Sequence, residues 1–122
     1  MADYVSAKDP KNVEPYFFIF CDKKTGLNDA SASDNGDLQG ATISTITSVT
    51  AASGLTVASS NKDAVSIKPD LNTAPVSYGA STVVTAWLSG GTDGVEYEIE
   101  CLIVTSDSRT LTKTMIVPVR QL

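Results

Sequence analysis

The sequence predicts an all-β fold: a single immunoglobulin-like β-sandwich of about seven strands with no substantial helix. Three observations predict it. Val, Ile and Thr together number 33 against eight Leu, a bias toward side chains that are stiff at χ1 and fit a pleated surface better than a helix. Short runs of alternating polarity recur between turn-forming clusters of Gly, Asn, Asp and Ser, the spacing of a two-sheet sandwich. The hydrophobic fraction of 42% in 122 residues suffices for one compact core and leaves little room for a second domain. A small closed barrel is the other architecture with the same pattern.

Residues 1–12 are polar with a Lys8-Asp9-Pro10 break and read as an N-terminal arm; residues 13–122 form the sandwich domain. The run Pro15-Tyr16-Phe17-Phe18-Ile19-Phe20-Cys21 is apolar on both faces, which suggests a strand covered on both sides, or one with one face on the core and the other on a partner. Residues 22–40 are rich in turn formers and read as a long loop. Residues 41–51 place Ile43, Ile46 and Val49 three apart; the abundance of Ser, Thr and β-branched residues there favours a strand with a bulge over a helix. Residues 55–58 and 64–68 alternate, and residues 69–80, with two of the five prolines, read as a loop.

The last third is the best patterned. Residues 81–88 form a strand ending in Trp87-Leu88, followed by a turn with Gly90, Gly91 and Gly94. Over residues 95–105, Val95, Tyr97, Ile99, Cys101 and Ile103 face one way and Glu96, Glu98 and Glu100 the other. Ser106-Asp107-Ser108-Arg109 turns the chain into a final strand, residues 110–119, with Leu111, Met115, Val117 and Val119 on its apolar side. Pro118 favours an edge position there.

Charge and composition exclude several functions. The net charge is −5 and the nine basic residues are scattered, with only Lys23-Lys24 adjacent, so a counterion-displacing face for nucleic acid is missing. No apolar run approaches the ~20 residues of a membrane helix. The first ten residues lack the pattern of a secretory signal. A reducing site of synthesis is therefore expected, with Cys21 and Cys101 as unbridged thiols packed like small apolar residues.

Chemistry-bearing clusters are sparse, and no catalytic, cofactor-binding or metal-ligating residue is assigned. Without histidine there is no Ser-His-Asp triad, no Cys-His dyad and no imidazole ligand. The two cysteines lack zinc-site spacing. Gly90, Gly91 and Gly94 match no phosphate loop and read as a strand-to-strand turn. Glu96, Glu98 and Glu100 could in principle act as paired carboxylates of a hydrolase, but a solvated strand face that discourages edge pairing explains them better. Asp29, Asp34, Asn35 and Asp37 could hold a hard cation, although such residues also simply make turns. Trp87 reads as a core or corner anchor; a carbohydrate-binding module would instead use it to stack on sugars. If Phe17, Ile19 and Cys21 fill the core, then Tyr16, Phe18 and Phe20 face another sheet, the arm or a partner; burial in the core is the favoured reading for them, because an early strand can be covered by its own chain. With Tyr4 on the arm, these three are the candidate protein contacts, and the loop over residues 60–80 is a further contact region.

Several of these segments resemble a family of small tailed-bacteriophage virion proteins, the fibre–tail adaptor or neck-associated proteins. The resemblance is carried by Trp87-Leu88-Ser89-Gly90-Gly91-Thr92, by Tyr97 opening the next strand, by Ser108-Arg109-Thr110 in the last hairpin and by Arg120. Ser53-Gly54-Leu55-Thr56-Val57, Asp3-Tyr4 and Lys8-Asp9-Pro10 are similar to the family's middle and start. Val49 stands where the family usually has a second Trp, and residues 60–80 are longer than the family's connection. The resemblance implies a β-sandwich with Trp87, Gly90, Gly91, Tyr97 and Arg109 as structural anchors. It also implies a non-enzymatic adaptor at the head–tail junction or fibre attachment site, present in several copies, made in the bacterial cytoplasm and resident in the virion. A capsid decoration protein is the alternative within the same class.

Overall fold

The structure, a computed structural model, describes residues 3–4, 8–21, 38–67 and 74–121. Among them are nine strands and no helix. In chain order these are β1 (Asp3–Tyr4), β2 (Glu14–Ile19), β3 (Ile43–Ala51), β4 (Leu55–Asn61), β5 (Val65–Ile67), β6 (Val76–Tyr78), β7 (Val83–Gly90), β8 (Glu96–Thr105) and β9 (Thr110–Pro118). Seven of them make two sheets, ordered β1-β9-β8-β3 and β2-β7-β4, and β5 and β6 form a separate hairpin.

This connectivity is immunoglobulin-like. The β2-β7-β4 sheet corresponds to strands B, E and D, and β3, β8 and β9 to C, F and G. The β8–β9 hairpin carries the strongest alternation in the sequence and pairs without a slip from Glu96↔Pro118 to Val104↔Thr110. Strand β3 contains the expected irregularity, with register shifts between Ile43 and Thr45 and between Ile46 and Ser48. Chain reversal at Gly54 (φ +108°) then carries β3 over to β4 in the other sheet, a backbone conformation that favours glycine.

One core lies between the sheets. Tyr97, Ile99, Cys101, Ile103, Met115 and Val117 come from one side, and Tyr16, Phe18, Val84, Ala86 and Leu88 from the other. Phe20 and Cys21, just beyond β2, join them.

Several expectations are corrected here. Residues 76–78 are strand rather than loop, because Val76↔Ile67 and Val65↔Tyr78 pair and Tyr78 is buried. Strand β9 is not an edge: β1 and Lys8 run parallel beside it. Pro118 is tolerated because the Val119 amide is the one donating to Val95 O, which turns the Pro118 ring nitrogen toward the arm, where Lys8 needs only the Pro118 carbonyl. Asp29, Asp34, Asn35 and Asp37, which read as turn residues more readily than as cation ligands, lie outside the described residues, as does the first part of the 69–80 loop, residues 69–73.

Cys21 and Cys101 are both buried and not bridged. Burial pushes the Cys101 thiol up to about 12, which removes the thiolate that reacts. Neither thiol will react with an aromatic disulfide reagent at neutral pH in the folded protein, whereas both will react in denaturant; stoichiometric labelling of the native protein would contradict this burial.

Candidate interaction surface

The arrangement of the two outer faces follows from pairing registers. On β2, Phe18 lies opposite Val84 and Tyr16 opposite Ala86, all four buried. The alternate set, Pro15 opposite Trp87, Phe17 opposite Thr85 and Ile19 opposite Val83, therefore points outward. The sequence leaves this orientation open, and the pairing with β7 decides it. Tyr16, Phe18 and Phe20 are core residues at 6%, 2% and 0% exposure, and this strand's outward surface is Pro15, Phe17 and Ile19. Trp87 likewise is not a core anchor: it is 37% exposed on the same outer face. Val13, one step further along the outward row, is 57% exposed.

Across β4, Trp87 is opposite Ser59 and Thr85 opposite Asn61. The outer face of the β2-β7-β4 sheet thus carries no charged side chain along Val13, Pro15, Phe17 and Ile19, nor along Val83, Thr85, Trp87 and Ser89. Its open part is apolar around Trp87. At the other end Val83 and Thr85 are covered by the chain itself. There the Thr85 hydroxyl is buried with no hydrogen-bond partner among the described residues, a situation that costs about 1–3 kcal/mol. Thr85→Val should accordingly raise the melting temperature by about 2–5 °C; a lower melting temperature would mean that the hydroxyl is satisfied.

The opposite outer face is acidic. Glu96, Glu98 and Glu100 are exposed on β8, opposite Pro118, Ile116 and Thr114 of β9. Glu98 and Glu100 lie on the sheet surface, and Glu96 alone borders a shallow depression, with Gly94, Val95, Pro118, Val119 and Arg120, so among the described residues no second carboxylate faces it there. Among the described residues no three His, Cys, Asp or Glu side chains are grouped so as to hold a metal ion.

Side-chain hydrogen bonds tie both ends of the sandwich. At one end the Tyr97 hydroxyl accepts a hydrogen bond from the Thr92 amide at 2.9 Å, the corner arrangement of immunoglobulin-like domains at the start of strand F. A Cβ at Gly54 would come within 3.1 Å of that hydroxyl, and one at Gly91 within 2.7 Å of Val119. Lys8, fully buried, donates from Nζ to the carbonyl oxygens of Asp9 and Gly90 at 2.8 and 2.9 Å, locking the arm over the glycine turn. Burial holds its ammonium below the usual lysine value, while Glu14 and Asp9 pull the other way. At the other end the Arg109 guanidinium donates to Asp107 through Nε at 2.9 Å and to Leu38 O through Nη2 at 2.7 Å. Hydrogen bonds from Thr105 and Arg109 hold the Asp107 carboxyl below the usual range.

Sequence reasoning missed Trp87 as a surface residue. The signal that could have found it is its odd position on β7, out of step with Val84, Ala86 and Leu88.

Comparison with known families matches residues 29–118 to the podophage GP4 fiber-tail adaptor protein gp77 family. The chain belongs to this family. The matched span runs from the connection after β2 to the end of β9, so it includes Trp87, Gly90, Gly91, Tyr97 and Arg109 of the fiber-tail adaptor pattern. No curated protein and no solved structure matches the chain.

Proposed function

We propose that this protein is a non-enzymatic structural component of a tailed-phage virion that couples fibres to the tail. The observation that carries the reading is membership of the fiber-tail adaptor family over residues 29–118. The fold supports it, because a rigid sandwich with one apolar and one acidic outer face suits a spacer between other proteins better than a catalyst. Binding would come from buried apolar surface with a polar rim, repeated over several copies in a symmetric assembly. The arm, whose residues Asp3 and Tyr4 pair with Met115 and Ile116 beside β9, and the region between β4 and β7 are further proposed contacts, to other virion proteins.

A phage carrying an amber codon in this gene tests the reading. Particles grown without the protein should have filled heads and assembled tails but lack fibres, and complementation should restore them. Fibres present on protein-free particles would refute the adaptor role. Copy number by gel densitometry separates an adaptor ring of about a dozen from the hundreds of copies of a capsid decoration protein.

A further inference from the structure

We infer that the uncharged outer face of the β2-β7-β4 sheet, centred on Trp87, pairs with the same face of a second copy of this chain across a two-fold axis. Two of the three large apolar side chains most exposed among the described residues, Val13 and Trp87, lie on it, and the third, Val95, lies elsewhere. Pro15, Phe17 and Ile19 complete an outward row with no polar member. Exposed apolar surface gathered on one face marks an association site.

Charge selects the occupant. Each copy carries a net charge of −5, so two copies repel unless they meet where neither presents a charge. A two-fold contact sets a patch against itself, so every carboxylate on it would face its own kind. Among the described residues the Trp87 face has none. In a face-to-face pair the Glu96, Glu98 and Glu100 stripes point away from each other. They are separated by three inter-sheet spacings of ~10 Å, several screening lengths at physiological salt. The open area is small, because Val83 and Thr85 at one end of the face are covered, so the contact is a weak one, at the low end of specific interfaces.

The inference stands apart from the adaptor reading, which is tested on particles, and its own test is made on the purified full-length protein. Sedimentation equilibrium over about 5–500 μM, the range in which interfaces this small associate, should show a monomer–dimer equilibrium. Added salt should strengthen it. The single tryptophan reports on the same contact, and its emission should shift to the blue as concentration rises. Trp87→Glu should sediment as a monomer throughout, with an unchanged far-UV spectrum and melting temperature; Val13→Asp should weaken association more than tenfold; Glu98→Lys, on the opposite face, should leave the dimer intact. A wild-type protein that stays monomeric with constant emission overturns the proposal. So does a Trp87→Glu variant that still dimerises. If the wild type is monomeric and Trp87→Glu protein is absent from virions, the face docks a different virion protein, and the second copy is likewise ruled out.

Discussion

Phe18→Ala will cost roughly 3–5 kcal/mol of folding stability, a large share of the 5–15 kcal/mol available to a domain. Phe17→Ala, one residue away, will cost less than half as much. Phe18 is 2% exposed and sits opposite Val84 at the centre of the inter-sheet core. Removing its ring leaves a cavity lined by both sheets, which a sandwich fixed by two hydrogen-bonded ladders cannot close. Phe17 is only partly buried and packs on the outer side of the same sheet, so its truncation removes less buried apolar area. Urea unfolding followed by far-UV dichroism checks the pair, with midpoints compared at constant slope. Equal losses, or a larger loss for Phe17, would mean that the strand is inverted relative to the register described here.

That comparison also shows where the sequence stops being informative. Strands β8 and β9 were legible because their polar and apolar residues alternate, and a one-residue slip there would expose Ile99 and bury Glu98. Strand β2 has no such contrast: Pro15, Phe17 and Ile19 are as apolar as Tyr16, Phe18 and Phe20. Either set could face inward on hydrophobicity alone, and only pairing with β7 decides between them. Trp87 was obscured for the same reason, since it lies within a strand whose residues from Val83 to Ala86 are buried on both faces. Strand β6 was hidden by its length, three residues beside a proline-containing segment. Those failures coincide with the apolar outer face, where side chains unsuited to water lack the internal partner that would make their orientation readable. The glycine and arginine motifs mark positions at the ends of the sandwich, but what those residues touch there, Val119, Tyr97 and Leu38, is set by tertiary structure.

Gly91→Ala should destabilise the protein by about 2–4 kcal/mol, because two independent penalties fall on one methyl group. The first is conformational. Gly91 has φ +97°, where an L-residue is strained by roughly 1–3 kcal/mol. The second is steric: the added Cβ would lie 2.7 Å from Val119 Cγ2 and 3.2 Å from its Cγ1. Val119 cannot yield easily. Its amide donates to Val95 O, its carbonyl accepts from the Gly94 amide, and the arm pairs beside it through Lys8. A double-mutant cycle separates the two penalties. In a Val119→Ala background the overlap is gone while the φ strain persists, so Gly91→Ala should then cost only about 1–3 kcal/mol. If the cost is the same in both backgrounds, Val119 is not what the glycine accommodates. Gly94→Ala is the matching control, since it too has positive φ (+86°) but nothing within 4 Å of its Cβ position. It should reproduce the strain alone and leave the Lys8 latch in place, which native-state hydrogen exchange at the Lys8 and Arg120 amides would report.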